Sequence, residues 1–226
     1  MDVVEQDERH ERSNSIEHVE IAGSSLILRY ASAEDAEALY KLGADSEVTR
    51  FFSWGPYTSV SEPRAYIDGC SGERDRGERL DFLIDDPRRG PLGVTGISEV
   101  SRRDRRAVVG TWLGRPYWGS GANTASKALI AHLAFRVLGM ERLGAYADLE
   151  NPRSQAALTR LGFEREGVLR RWHRHGPRVH DVVVYSWLKE QWERSPLAEI
   201  PVEVRGEPPP RFDCGPEALS YAAAPS

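Results

Sequence analysis

The sequence predicts an α+β protein, in which helices layer against a mixed sheet containing several antiparallel strands. Three observations carry that prediction. The elements read in the order strand, two helices, several strands, helix, strand, helix, two strands. The stretch Trp112–Leu138 passes from strand-like residues through a glycine turn into a helical pattern. The 226 residues, 40% hydrophobic and 29% charged, fit one soluble domain with a full core and tails.

Met1 to about Glu20 is charged and poor in apolar residues, so residues 1–22 read as a mobile arm before a domain over 23–194. Ser25–Arg29 is a first strand. Ser32 caps a helix, with Asp35 in the capping-box position, that runs to about Leu42 and turns Ala36, Leu39 and Tyr40 inward. Phe51–Tyr57 is aromatic and broken at Gly55-Pro56; it either plugs the core or walls an acceptor pocket. Ser61-Glu62-Pro63 opens a second helix ending near Cys70, and the polar run Gly69–Gly77 is a loop. Leu80–Ile84 and Leu92–Val100 are strands. Arg102–Arg106 is a hairpin tip, read as a solvated loop in preference to a phosphate-binding patch.

Ala107–Leu113 returns antiparallel and delivers the turn Gly119–Ala122 and a long helix, with Ala125, Leu129, Leu133, Ala134 and Val137 on one face. Arg142–Ala147 is a short buried strand. Asn151 is an N-cap with Pro152 at the first helical position; that helix turns Ala156, Ala157, Leu158 and Leu161 inward and stops at Gly162. Phe163–Arg174, bent at Gly167, and Val179–Leu188 are the last strands, followed by a short helix through Trp192. Residues 195–226 are rich in Pro and Gly and read as an irregular tail, with Phe212, Leu219 and Tyr221 as the residues that would anchor it on a neighbouring molecule.

Composition excludes several classes of function. The net charge of −5 opposes nucleic acid as the main partner. Cys70 and Cys214 make neither a disulfide framework nor a metal set, and the histidines lack metal spacing. No apolar run is long enough to span a membrane, and the N-terminus lacks the apolar core of a secretory signal. These features lead us to expect a cytoplasmic protein with no metal and no membrane partner.

Chemistry enters at the glycine turn. Glycines let backbone approach a ligand closely, and the free N–H groups of a helix's first turn face an anion. Trp118–Thr124 is followed by Glu150–Ser154, then Leu161-Gly162-Phe163, Glu166–Arg170 and Asp181–Ser186. This ordered series resembles the GNAT N-acetyltransferases, specifically the RimJ/RimL-like branch, over about Ser25 to Trp192. The resemblance implies the GNAT fold: a mostly antiparallel central sheet with helices on both faces, splayed between its fourth and fifth strands to hold acetyl-CoA as co-substrate. It places the pyrophosphate on the backbone of Trp118, Gly119, Ser120, Gly121, Ala122 and Asn123, and the pantetheine beside Thr111, Trp112 and Leu113. The chain departs from the pattern at Pro116, where the motif has Gln or Arg, and at Ala125, where the branch often has Glu.

The same resemblance implies that Asn151 contacts the pantetheine arm and that Ser154 protonates the leaving thiolate. The tyrosine that many GNAT enzymes use as acid is replaced by Leu158. For the base, the pattern aligns His173 with a candidate Glu; Glu99 and Tyr146 are rivals. Strand alternation would point Arg171, His173 and His175 one way. An α-amine, with a pKa of about 7.7–8.0, needs a weaker base than lysine at about 10.4. The absence of an obvious buried carboxylate therefore favours a low-pKa amine. The expected function is acetyl transfer to a protein or peptide N-terminus, or to a small-molecule amine such as an antibiotic. The alternative is a catalytically inactive acyl-CoA sensor or scaffold. The oligomeric state is open, with a homodimer as one arrangement.

Overall fold

The computed structural model describes residues 18–215. In chain order the elements are β1 (Glu20–Ala22), β2 (Ile27–Arg29), α1 (Ala36–Gly43), α2 (Ser46–Thr49), α3 (Ser61–Arg76), β3 (Arg79–Asp86), β4 (Gly90–Ser101) and β5 (Arg106–Leu113). There follow α4 (Ala122–His132), β6 (Arg142–Asp148), α5 (Pro152–Leu161), β7 (Glu164–His175), β8 (Arg178–Leu188), α6 (Lys189–Glu193) and β9 (Glu203–Arg205). The strands form one sheet in the order β7-β8-β6-β5-β4-β3-β2-β1-β9. Every neighbouring pair is antiparallel except β5 and β6.

That exception shapes the molecule. A parallel neighbour cannot be reached by a tight turn, so the chain crosses over through α4. β5 and β6 then pair only at Arg106↔Arg142, Ala107↔Leu143 and Val108↔Gly144, and separate beyond. Counted from Ile27–Arg29 as the first strand, these are the fourth and fifth, where the splay was expected. α4 and the turn that follows it bury Leu129, Ile130 and Leu133 in one core cluster with Phe82, Ile97, Val109, Leu143 and Trp187 on one face. α1 and α3 cover the other through Ala36, Leu39 and Ile67 over Leu83 and Val94.

Several expectations are corrected. The second helix does not end near Cys70; it continues to Arg76 and stops at Gly77, whose φ of 73° and N–H bond back to Arg74 make a left-handed cap. The run 69–77 looked like a loop because its charges lie on the solvent face while Ile67 and Cys70 face the core. The long helix widens into a π-helical turn at Leu133–Val137, and Val137, expected inside, is 37% exposed. In α5, Ala156 is exposed and Ala157 half-buried, while Leu158 and Leu161 are buried as expected.

The expected boundaries at residues 23 and 194 also differ from the packing. Val19 and Ile21 are buried, and β1 is a sheet strand. The described part of the tail is ordered: β9 pairs with β1, and Phe212 and Cys214 are fully buried in the main core. Leu219 and Tyr221 lie outside the described residues. Arg102 Nε donates to Asp213 O at 2.8 Å and Arg105 Nε to Gly139 O at 2.8 Å, so two arginines of the hairpin tip fasten the tail and the end of the α4 segment. The tip is otherwise solvent-exposed, as expected, at Arg102, Arg103, Asp104 and Arg106.

Candidate active site

The sequence builds an anion cradle where β5 hands over to α4. Gly119 and Gly121 have φ of 74° and 89°, values that favour glycine, and the space beyond each is open. Trp118 Nε1 donates to Leu113 O at 2.8 Å, and Ser120 Oγ donates to Tyr117 O at 2.7 Å, fixing the turn. The first N–H groups of α4 have no intrahelical acceptor. They border a cavity of about 380 Å³ lined by Trp112, Leu113, Trp118, Gly119, Gly121, Asn123, Asn151 and Ser154 among others. Its charged lining residues are Arg153 and Arg160; no carboxylate lines it. Arg153 stacks on the Trp118 ring, 3.3 Å from the centroid, tying α5 to the cradle. Of the residues assigned to the pyrophosphate, Ser120 and Ala122 do not line the cavity; the first braces the turn and the second is buried.

On the far side, α5 starts as expected. Asn151 Oδ1 accepts from Ser154 N at 3.1 Å, so Asn151 is the N-cap and also lines the cavity. Ser154 Oγ makes no hydrogen bond among the described residues. Both continue into a second, smaller cavity of about 120 Å³ inside the β5–β6 gap, shared with Thr111, Lys127, Tyr146 and Leu158. The two cavities meet at Phe51, Phe52, Thr111, Asn123, Asn151 and Ser154.

Lys127 is the residue the sequence reading missed. It is 4% exposed, donates to Thr111 Oγ1, and pairs with no carboxylate among the described residues. Burial pushes its ammonium down to about 7. A legible signal existed: Lys127 stands in the helical row 127–130–131–134, whose other members, Ile130, Ala131 and Ala134, are buried apolar residues.

The three rival bases lie together. Tyr146 Oη donates to Glu99 Oε2 at 3.1 Å, and the His173 and Trp172 rings lie 6.1 Å from the Tyr146 ring. Desolvation, then the Glu99 charge, raises the Tyr146 phenol above its ordinary value. Glu99 is exposed on a bulge of β4 with φ of 51°. Of the three, Tyr146 alone lines the gap. The predicted alternation along β7 fails: a bulge between Leu169 and His173, with Arg171 at φ of 56°, leaves Arg171 exposed while His173 and His175 are half-buried. His175 Nε2 bonds Gly55 O at 3.0 Å and so braces the aromatic loop.

That loop packs against β5 and lines the cavities. Trp54 packs on Tyr57 and Trp112, with ring centroids 5.0 and 5.2 Å away, whereas Phe51 and Phe52 line both cavities. Among the described residues no cluster of His, Cys, Asp and Glu could hold a metal, and no helix is long and apolar enough to cross a membrane.

Comparison with known proteins agrees with this geometry. The profile of the acetyltransferase (GNAT) domain matches residues 25–164. The chain is 30% identical over 168 residues to "Uncharacterized N-acetyltransferase p20" of Bacillus licheniformis, covering 74% of this chain and 94% of that protein. A shorter match, 32% over 101 residues, covers 45% of this chain and 55% of YdaF of Bacillus subtilis (strain 168), whose name marks it as a candidate ribosomal N-acetyltransferase. In fold it is similar to the crystal structure of the microcin C7 self-immunity acetyltransferase MccE in complex with acetyl-CoA and AMP, with a TM-score of 0.67, 22% identity and coverage of 73% of this chain and 93% of that one.

Proposed function

Because the chain belongs to the GNAT acetyltransferase family, we propose that it transfers an acetyl group from acetyl-CoA to a primary amine by direct attack in a ternary complex, within the RimJ/RimL-like branch. The observation that carries this reading is the continuous path from the α4 cradle to Ser154. A cavity with two arginines and no carboxylate suits phosphates, and it leads into a narrower gap that suits an extended thioester arm. The backbone of Gly119, Gly121 and Asn123 would hold the diphosphate, with Arg153 and Arg160 adding charge. Trp112, Leu113 and Asn151 would line the arm. Ser154, whose hydroxyl has no partner among the described residues, would donate toward the sulfur as the C–S bond breaks.

The acceptor is an amine-bearing peptide, a protein N-terminus or a small-molecule amine. An exposed Glu99 reaching the gap only through Tyr146 is a weak basic device, adequate for an α-amine that is already partly neutral near pH 7. The name of the YdaF relative favours a ribosomal acceptor. His173 and Glu99 act in this scheme on the acceptor side, Ser154 on the thiol side.

The test is thiol release from acetyl-CoA across a panel of peptides and small amines. Ser154→Ala is expected to lower kcat by about 10²-fold with little change in the acetyl-CoA KM. Tight CoA binding without turnover on any amine would overturn transfer in favour of an acyl-CoA sensor.

A further inference from the structure

The gap between β5 and β6 contains a charge that the fold does not need. Lys127 sits in the second turn of α4, and a lysine there could normally extend its stem and lift its ammonium to water. Instead the side chain is turned into the protein. It is 4% exposed, and its sole hydrogen-bond partner among the described residues is Thr111 Oγ1. Thr111 is itself bound to Gly110 O at 2.7 Å and to Thr95 Oγ1 at 2.6 Å, so it is held in place to receive Lys127. An ammonium has three donors. Those not directed at Thr111 have no acceptor among the described residues, and Lys127 lines the 120 Å³ cavity together with Asn151 and Ser154.

No carboxylate is bonded to Lys127 among the described residues, although that of Asp148 lines the same gap. From β6, Asp148 and Tyr146 are the titratable groups lining the gap. The Asp148 carboxylate is committed to His180 Nδ1 at 2.8 Å and Glu150 N at 2.7 Å, and the Tyr146 hydroxyl to Glu99. β5 contributes Val109, Gly110 and Thr111; α5 contributes Ser154 and Leu158; the loop contributes Phe51 and Phe52. None of these ionises near neutrality. A buried cation without a partner is costly, and an apolar residue in the same row would pack without that cost. The arrangement makes sense if negative charge arrives in the gap during turnover.

We propose that Lys127 is a catalytic residue that supplies the proton for the departing CoA thiolate, acting from the β5–β6 gap beside Ser154. The inference rests on the acetyl-transfer reading above. In the step, the amine nitrogen bonds to the carbonyl carbon and the C–S bond breaks with its electron pair on sulfur. A proton passes from Lys127 Nζ to that sulfur, leaving CoA thiol and a neutral lysine. The proton shed by the amide nitrogen returns through solvent to Lys127, so no proton is gained or lost overall. A serine hydroxyl can orient the sulfur by hydrogen bonding, but it does not release a proton near neutral pH. An ammonium depressed to about 7 does so readily toward a thiolate whose conjugate acid lies at about 8.5 for a cysteine-like thiol.

The test reads Lys127 directly. In full-length protein labelled with ¹³C at the lysine ε-carbon, the Lys127 resonance is assigned by its loss in Lys127→Gln and titrated in the apo protein, with CoA and with desulfo-CoA. The expected result is a midpoint that rises by about one pH unit or more with CoA and stays put with desulfo-CoA, a tenfold change in proton affinity. Lys127→Gln, and Lys127→Met as a second variant, should lower kcat by about 10²-fold while leaving the acetyl-CoA KM nearly unchanged. Coincident midpoints for CoA and desulfo-CoA, or an unchanged kcat, would overturn the role of Lys127 and leave acetyl transfer standing. Failure of the unsubstituted protein to bind either ligand would overturn the transfer reading itself.

Discussion

Arg29 and Lys127 set two halves of the sheet against each other. Arg29, on β2, is bonded to Asp35 through both terminal nitrogens, at 2.9 and 2.8 Å, and to Asp85 through Nε at 2.7 Å. Those carboxylates hold its guanidinium well above its usual range, despite partial burial. Lys127, more deeply buried, is bonded to no carboxylate among the described residues. Around Arg29 the strands are zipped: β2, β3 and β4 pair antiparallel along their lengths, with one bulge at Ile84/Asp85. Around Lys127 the pairing of β5 with β6 has stopped. A charge matched by the protein is part of the fold; an unmatched charge beside an open gap is an appeal to something outside it.

The comparison can be broken from either side. The zipped half is closed by the returning tail, so Phe212→Ala, which empties a fully buried site, should cost about 3–5 kcal/mol in urea unfolding. A loss below about 1 kcal/mol would mean that the tail merely rests on the surface. Arg29→Ala should cost about 2–3 kcal/mol by stranding Asp35 and Asp85, while the surviving folded fraction keeps its kcat. A fall in kcat at unchanged stability would mean that the two halves are coupled. Read per pH unit, the smallest effect comes from Lys127. The folded ammonium of Lys127 gives up its proton near 7, whereas an unfolded lysine keeps it to about 10.4. The burial penalty is therefore full below pH 7, shrinks as pH climbs toward 10.4, and vanishes above it. Unfolding free energy should rise by up to about 1.4 kcal/mol per pH unit within that window from this group. Thermal or urea melts of Lys127→Met should lack that slope, and equal slopes in both proteins would remove the contrast.

How much of this was readable beforehand depends on what each residue answers to. Gly121, Asn151 and Gly162 were legible because left-handed backbone and helix caps admit few residue types. The path from Trp112 to Ser154 was legible through its ordered resemblance to known acetyltransferases. The second half of α3 was not, since a solvent-facing helix and a polar loop share one composition. Nor was the Arg171 bulge, which cancels strand alternation through a local φ that the sequence does not announce. Phe212 was legible as an anchor but not as one seated in this chain's own core, because what holds it is long-range: Arg102, 111 residues before Asp213, fixes the Asp213 carbonyl. Lys127 was hidden because lysine on a helix ordinarily means water.

The outermost strands of the sheet are guarded differently. β7 is twelve residues long, but it is bulged twice and carries exposed Arg165, Arg170, Arg171 and Arg174; β9 is three residues long and lies between Pro201 and Pro208. Neither margin offers a second molecule a flat, uncharged ribbon to join. Among the described residues, a β-sheet ruptured down its middle is therefore shielded at its borders from foreign strands, and the extended visitor it invites is one slender enough to enter the rupture.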